Sequence, residues 1–389
     1  MDVYLDNAST TFPKPKQVID GMYNYMLNIG GNAGRGNYDN SLQSNRYLYD
    51  ARELVCNFFG YDSPSNVIFT SNVTVSLNIL IKGILKPGDH VITSSMEHNS
   101  VVRPLFFSKE NLQIELDVIN ADSMGFINLD DFKNKITQKT KLVVITQASN
   151  VTGSIQDIHG IGEICNDNDI FFIVDSSQGA GVLNINMKNL NANAIAFTGH
   201  KGLLGPQGVG GFILDSKFND SCCSIFQGGT GSLSSSLDQP DFLPDKFECG
   251  THNLPGIVGL AEGIKYINSI GLNTIYQHTH YLMNYLLNGL LNIDGIIVYG
   301  DLSGKNSTTC ISINVNSLDA SELNYHLECE GIKTRSGLHC SPLAHKTIGT
   351  YPNGTVRLSI SYFTTKKEID YTLNALSKIA QKACENIII

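Results

Sequence analysis

Lys201 follows the apolar run Ala194-Ile195-Ala196-Phe197 by way of Thr198-Gly199-His200, and the glycine-rich stretch Gly202 to Gly211 comes directly after it. The run predicts a buried strand and the glycines exclude a long helix beyond it, so an amine is delivered to a strand end. A protonated amine is no nucleophile, but one held out of water among polar donors loses its proton and forms a Schiff base with an aldehyde. Taken alone, Gly199-His200-Lys201 reads more often as a solvated loop. A second charged residue changes that balance. Ile170-Phe171-Phe172-Ile173-Val174 ends on Asp175, the pattern of a central parallel strand with a carboxylate at its C-terminal end, where open α/β sheets place their ligands. Pyridoxal 5'-phosphate needs both groups: a lysine to carry its aldehyde, and a carboxylate that keeps its pyridine nitrogen protonated so that the ring draws electrons from a substrate. Asp175 alone is also a plausible turn cap. Asp175 and Lys201, each closing an apolar strand, make a much narrower pattern.

Further polar residues fall at strand ends of the same kind. Asn66 to Thr70 reads as a strand, and Ser71-Asn72-Val73-Thr74 opens a helix through Ile84; the free amides and positive dipole of that helix start suit a phosphate, with a merely capped helix as an equal reading. His98 follows the strand His90 to Ser95, placed to stack on a pyridine ring and to move protons beside it, although alone it reads as a helix-start histidine. Asn150 follows the strand Lys141 to Thr146 and is able to donate to a phenolic oxygen. Thr198 and His200 flank the lysine, where they can help to hold a phosphate. Cys340 lies in Arg335-Ser336-Gly337-Leu338-His339-Cys340-Ser341-Pro342, a loop bounded by glycine and proline that should leave the thiol accessible. His339 or a bound cofactor is able to raise the thiolate fraction there.

Apolar strands alternate with helical segments from 66 to 215, which predicts a mostly parallel, doubly wound α/β sheet. A chain of 389 residues exceeds the size at which one core stops growing. The reading is an N-terminal arm at 1–15 packing on the smaller domain, a large domain at 16–255 and a smaller α+β domain at 256–389. Residues 215–246 carry no periodicity and read as a long functional loop. The net charge of −9 argues against a nucleic-acid or anionic-membrane partner. No apolar run approaches the roughly eighteen residues of a membrane span, and no secretory signal opens the chain. Nine scattered cysteines without a CxxC pair are the usage of a reducing compartment, so a cytoplasmic protein without a metal site is expected. Cys56, Cys165, Cys310 and Cys329 sit in apolar periodic segments and read as small buried side chains.

The stretches VDSSQGAG and TGHKGLLGPQGVGG, with YLDNASTTFPKP near the start and RSGLHCSPLAH near the end, resemble the cysteine desulfurase and selenocysteine lyase family, a branch of the class-V aminotransferases with the type I fold of pyridoxal-phosphate enzymes. The resemblance implies pyridoxal 5'-phosphate held on Lys201 as a Schiff base, with Asp175 at the ring nitrogen and His98 stacked on the ring. It places Asn150 and Gln178 at the phenolic oxygen, and Thr74, Val75, Thr198 and His200 around the phosphate. Val75 stands where the family usually has glutamate, and Asn37 where it usually has histidine after Arg-Gly. Glu248-Cys249-Gly250-Thr251-His252-Asn253 is similar to a motif whose threonine reaches the phosphate of the other subunit, which implies a homodimer. Cys340 is implied as the acceptor of sulfur, Arg335 as a substrate-side residue and Arg357 as the clamp on the amino-acid carboxylate. The activity implied is conversion of L-cysteine to L-alanine, with sulfur passing to Cys340 as a persulfide and then to an acceptor, which can be a protein. A selenocysteine lyase would use the same residues. A class-V aminotransferase or epimerase would have no need of Cys340, and a non-catalytic pyridoxal protein that gathers sulfur-transfer partners is a further reading.

Overall fold

The structure, a computed structural model, describes residues 1–34 and 36–385. Arg35, in the glycine-dense segment that precedes Asn37, lies outside the described residues. The larger sheet has seven strands in the spatial order Val67–Thr70, Gly210–Leu214, Ala194–Thr198, Phe171–Asp175, Thr140–Thr146, His90–Ser94 and Glu115–Ile119. The last five run parallel, while Gly210–Leu214 lies antiparallel to both of its neighbours. This is the mostly parallel, doubly wound sheet that the alternation predicts.

The strands are apolar throughout because both sheet faces are covered. Phe172, Val174, Ile195 and Phe197 point into one buried cluster, which also takes Ile257, Leu260 and Ile264 of the helix Leu254–Ile270. Phe171, Ile173, Ala194 and Ala196 point into the other, with Leu77 and Leu80 of the helix Val73–Ile84. A shift of one residue in any of these strands would exchange the two sets of side chains, so pairing is fixed by the two helical layers together. The strand Gly210–Leu214 has a separate constraint: a Cβ on Gly211 would lie 2.4 Å from the Ile68 carbonyl oxygen. Only glycine lets that backbone approach its neighbour.

A second, four-stranded antiparallel sheet runs Arg335–Gly337, Thr355–Ser359, Cys310–Val315, Ile296–Tyr299. Its own cluster includes Leu286, Ile313, Leu323, Leu358 and Leu376 from this sheet and the helices Leu272–Leu291, Ala320–Cys329 and Lys366–Glu385. Val3 and Leu5 belong to the same cluster, and Val3–Tyr4 pairs in parallel with Ile332–Lys333. The sequence boundary at 255 falls within the helix Leu254–Ile270, whose apolar face packs with the larger sheet. Residues 215–246 are not wholly loop, since Ser216–Ser221 forms a short helix capped by the Asp215 side chain. Cys56, Cys165 and Cys310 are buried, but Cys329 is exposed at the last turn of its helix, on the face away from Leu323 and Leu327.

One buried ion pair ties the helix Asp39–Phe58 to the segment before Thr251. Arg52 Nη1 donates to Glu248 Oε1 at 2.8 Å, Nη2 donates to Oε2, and the Phe69 amide donates to Oε1 at 2.6 Å. Both side chains are almost wholly out of water. Replacing Glu248 with alanine strands a buried guanidinium and is expected to cost about 3–5 kcal/mol of stability, measured as the loss in unfolding free energy in urea.

Candidate active site

Asp175 is the last residue of its strand and is 2 % exposed. Its Oδ1 accepts from the Ser177 amide at 3.0 Å and from the Ser177 hydroxyl. Burial pushes the Asp175 carboxyl upward, with the Ser177 hydrogen bonds and the Lys201 amine opposing. A carboxylate so placed is stabilised most by a cation set against it. The neighbouring strand pairs Asp175 with Ala196 and runs on through Thr198 to Lys201, so carboxylate and amine emerge at the same sheet edge. Burial pushes Lys201 down to about 8; Asp175 works against this, and the Arg357 and Arg335 guanidinium groups add to it. An amine in that range is deprotonated often enough near neutrality to attack a carbonyl.

Around the lysine, Thr198 Oγ1 and His200 Nδ1 are buried without a hydrogen-bond partner. Burial, with Lys201 and Lys14 nearby, pushes His200 down to about 4, so its ring is neutral. Thr198 pairs with Gly210, and Gly210 pairs with Thr70 just before the helix cap at Asn72. Two orphaned polar groups therefore share a sheet edge with a helix N-terminus, an arrangement that an anionic group with several acceptor oxygens satisfies. Thr74 is exposed in the first turn of that helix. The Val75 amide is already held by the Asn72 side chain at 3.1 Å. Val75 lines a different cavity, of about 320 Å³, together with Thr251 and Gly208. Thr251 is exposed there and does not join Lys201 within its own chain.

Gln178 and Lys201 line one small cavity, and the Gln178 amide donates to the Ala8 carbonyl at 3.1 Å. His98 caps the helix Asn99–Leu112, its Nδ1 accepting from the Ser100 amide at 3.1 Å. Burial and then the Lys201 charge, followed by those of Arg335, Arg357 and Arg103, push His98 down to about 4. The imidazole is therefore neutral near pH 7. Asn150 donates to the His339 carbonyl at 2.8 Å and accepts from the Ser341 hydroxyl at 2.8 Å. It thus pins both flanks of Cys340, and one of its two amide hydrogens is left for another acceptor.

Cys340 is exposed, and its carbonyl accepts from the Asn99 amide at 2.8 Å, which fixes the thiol loop beside His98. His339 and Cys340 both adopt left-handed backbone, at φ 48° and 59°. The expectation that His339 charges the thiol is corrected. Its ring is buried and pushed down to about 2, first by burial and then by Arg357, so it is neutral and brings no positive charge to the thiol. The cation at the sulfur is Arg335, whose Nη2 lies 3.8 Å from Cys340 Sγ.

Three further participants, Asp6, Lys14 and Glu97, carry no role in the sequence reading, and the first of them meets Arg357, the residue that the resemblance gives as the carboxylate clamp. Arg357, 1 % exposed, donates through Nη2 to Asp6 at 3.0 Å and to the Ser9 hydroxyl at 2.8 Å, and through Nη1 to the Asn150 carbonyl at 3.0 Å. Its Nε remains a buried donor without a partner. Lys14 donates to the His200 carbonyl at 2.7 Å and to the Thr11 hydroxyl at 2.6 Å, pinning the residue before Lys201. The charged residues of the opening motif, Asp6 and Lys14, are the available signal, but nothing local to that motif points to partners some two hundred or more residues away.

The third is Glu97, fully buried between two strands. Its Oε1 accepts from the Ser94 hydroxyl at 2.6 Å and the Thr146 amide at 3.0 Å, while Oε2 has no partner. Burial raises its pKa from 4.5 to about 8. The folded state then binds the proton more tightly than the unfolded one, so this residue costs no stability below pH 4.5 and an increasing amount as pH rises toward about 8. Glu97→Gln is expected to flatten that fall: between about pH 5 and pH 8 its Tm should drop about 2–4 °C less than that of the unaltered chain. Thermal unfolding at the two pH values checks it.

The sequence model of the class-V aminotransferases matches residues 3–372. The chain belongs to the class-V aminotransferase family. Enzymes of this family depend on pyridoxal phosphate. Among relatives within it, a probable cysteine desulfurase of Methanothermobacter thermautotrophicus is 35 % identical over 97 % of this chain and 94 % of its own length. The cysteine desulfurase IscS of Buchnera aphidicola is 31 % identical over 97 % of this chain and 92 % of its own. The apo structure of a cysteine desulfurase from Thermococcus onnurineus superposes with a TM-score of 0.93 at 32 % identity, covering 98 % of this chain and 95 % of that one. The class-V family also accounts for the topology, a mostly parallel large sheet with a second α/β layer beside it.

Proposed function

We propose that the chain is a pyridoxal 5'-phosphate-dependent cysteine desulfurase that takes the sulfur of L-cysteine onto Cys340 and releases L-alanine. The observation that carries this reading is the convergence on one sheet edge of a buried carboxylate, a deprotonation-prone lysine and an exposed thiol fixed beside His98. Lys201 would hold the cofactor, with Asp175 at its nitrogen, Gln178 and Asn150 at its phenolic oxygen, and Thr74, Thr198 and His200 toward its phosphate. When bound, the cofactor supplies an electron sink for the bonds at the substrate's α-carbon. The remaining work falls to the chain. Arg357 offers its unpartnered Nε to the substrate carboxylate, and Asp6 and Ser9 hold the guanidinium in place. Lys201 takes the proton from the α-carbon and returns it. Cys340 Sγ bonds to the substrate sulfur as the carbon–sulfur bond breaks, the pair of that bond leaving with carbon, which gains a proton to become a methyl group. Arg335 faces the sulfur during that exchange and stabilises negative charge on it.

We further propose a homodimer in which the exposed Thr251 reaches the partner's phosphate, and a cytoplasmic setting consistent with nine free thiols. Among the described residues no helix is long and apolar enough to cross a membrane. Incubation with L-cysteine and a reductant tests the function: alanine should appear in step with sulfide. Cysteine consumed with a keto acid as the product would instead make the chain an aminotransferase.

A further inference from the structure

Cys340 opens into a cavity of about 400 Å³ that also takes side chains from the helices Val73–Ile84 and Asn99–Leu112, which follow the strands Val67–Thr70 and His90–Ser94. Lys82 and Arg103 line it, together with Asn78, Phe107 and two residues given to the cofactor above, Thr74 and the neutral His98, and no carboxylate does. Among the described residues neither Lys82 nor Arg103 makes a salt bridge, although the chain as a whole carries a net charge of −9. Lys82 Nζ instead sits 4.5 Å from the centre of the Phe107 ring, and Arg103 is exposed at the mouth. A concave site of this volume suits a small molecule rather than a protein surface. Two uncompensated cations beside a sulfur-carrying thiol select the charge of what enters.

We infer that this cavity binds the second substrate, a small thiol bearing carboxylates, and that Lys82 and Arg103 set its specificity. The inference rests on Cys340 receiving sulfur as proposed above. The acceptor's thiolate attacks the outer sulfur of the Cys340 persulfide and forms the new S–S bond. The bond between that sulfur and Sγ breaks, its electron pair stays on Sγ, and Cys340 is protonated back to a thiol, with no net oxidation or reduction. The acceptor leaves as a persulfide. Its carboxylates are held by Lys82 and Arg103 while Arg335 faces the departing Sγ.

The test starts from holoenzyme whose Cys340 has been loaded with L-cysteine and then freed of excess substrate, so that loading does not enter the measured rate. Discharge is followed with mercaptosuccinate, 2-mercaptoethanol and cysteamine as dianionic, neutral and cationic probes. Each rate is divided by that of the Lys82→Gln/Arg103→Gln protein with the same probe, which cancels the probe's own nucleophilicity. The ratio is expected to be about tenfold for mercaptosuccinate, near one for 2-mercaptoethanol and below one for cysteamine. Arg103→Glu should shift the preference toward cysteamine. Equal ratios for all three probes would overturn the inference while leaving the desulfurase reading intact. Failure of Cys340 to load at all would overturn that reading, and this one with it.

Discussion

Lys201→Ala is expected to lower turnover of L-cysteine by at least about 10⁴-fold, because the same amine holds the cofactor and moves the α-proton. The protein should fold, since the side chain lines a cavity and belongs to neither strand cluster. Its visible absorbance should change from that of a lysine-joined cofactor to that of a free aldehyde or of none. Thr198, His200 and the helix start at Asn72 remain in the variant, so added pyridoxal phosphate should still bind without being joined. A small primary amine supplied in solution should restore part of the proton-transfer rate. An unchanged spectrum would contradict the role given to Lys201, and a lost fold would show as a lost unfolding transition rather than as a specific defect.

Cys340→Ser is expected to reduce alanine formation by about 10³-fold while leaving cofactor binding as it is. The smaller hydroxyl fits in the thiol's place but forms no persulfide, so only the transfer step is removed. The loop should survive. Its geometry is fixed by Asn150 on both flanks and by the Asn99 amide on the Cys340 carbonyl, none of which uses the thiol. Spectral changes on adding L-cysteine should persist, since Lys201 and Arg357 are untouched. Alanine released at the full rate would show that the sulfur leaves by another route.

The sequence made the strand-end chemistry legible because it is local. Asp175 and Lys201 follow apolar runs that are buried on both faces and read as strands, and their pairing narrows what each leaves open alone, while His98, Asn150 and Thr198 fall at neighbouring strand ends. The strand Gly210–Leu214 was less legible, because Gly210 and Gly211 read as loop when close backbone packing is what selects them. Long-range partners left no local trace. Asp6, Ser9 and Lys14 meet Arg357 and His200 in the folded chain, where the N-terminal arm pairs with Ile332–Lys333. The reversal at His339 has the same origin: adjacency in sequence suggests a charged neighbour for Cys340, but the left-handed turn buries the imidazole and brings Arg335 to the sulfur instead. Cys329 shows the converse, an apolar-looking helix position whose register turns it outward.

Reduction of the purified holoenzyme with borohydride, followed by peptide mapping, tests the cofactor assignment most directly. The pyridoxyl group should be found on Lys201 in stoichiometric yield. A label on another lysine, or none on a protein supplied with pyridoxal phosphate, would contradict it.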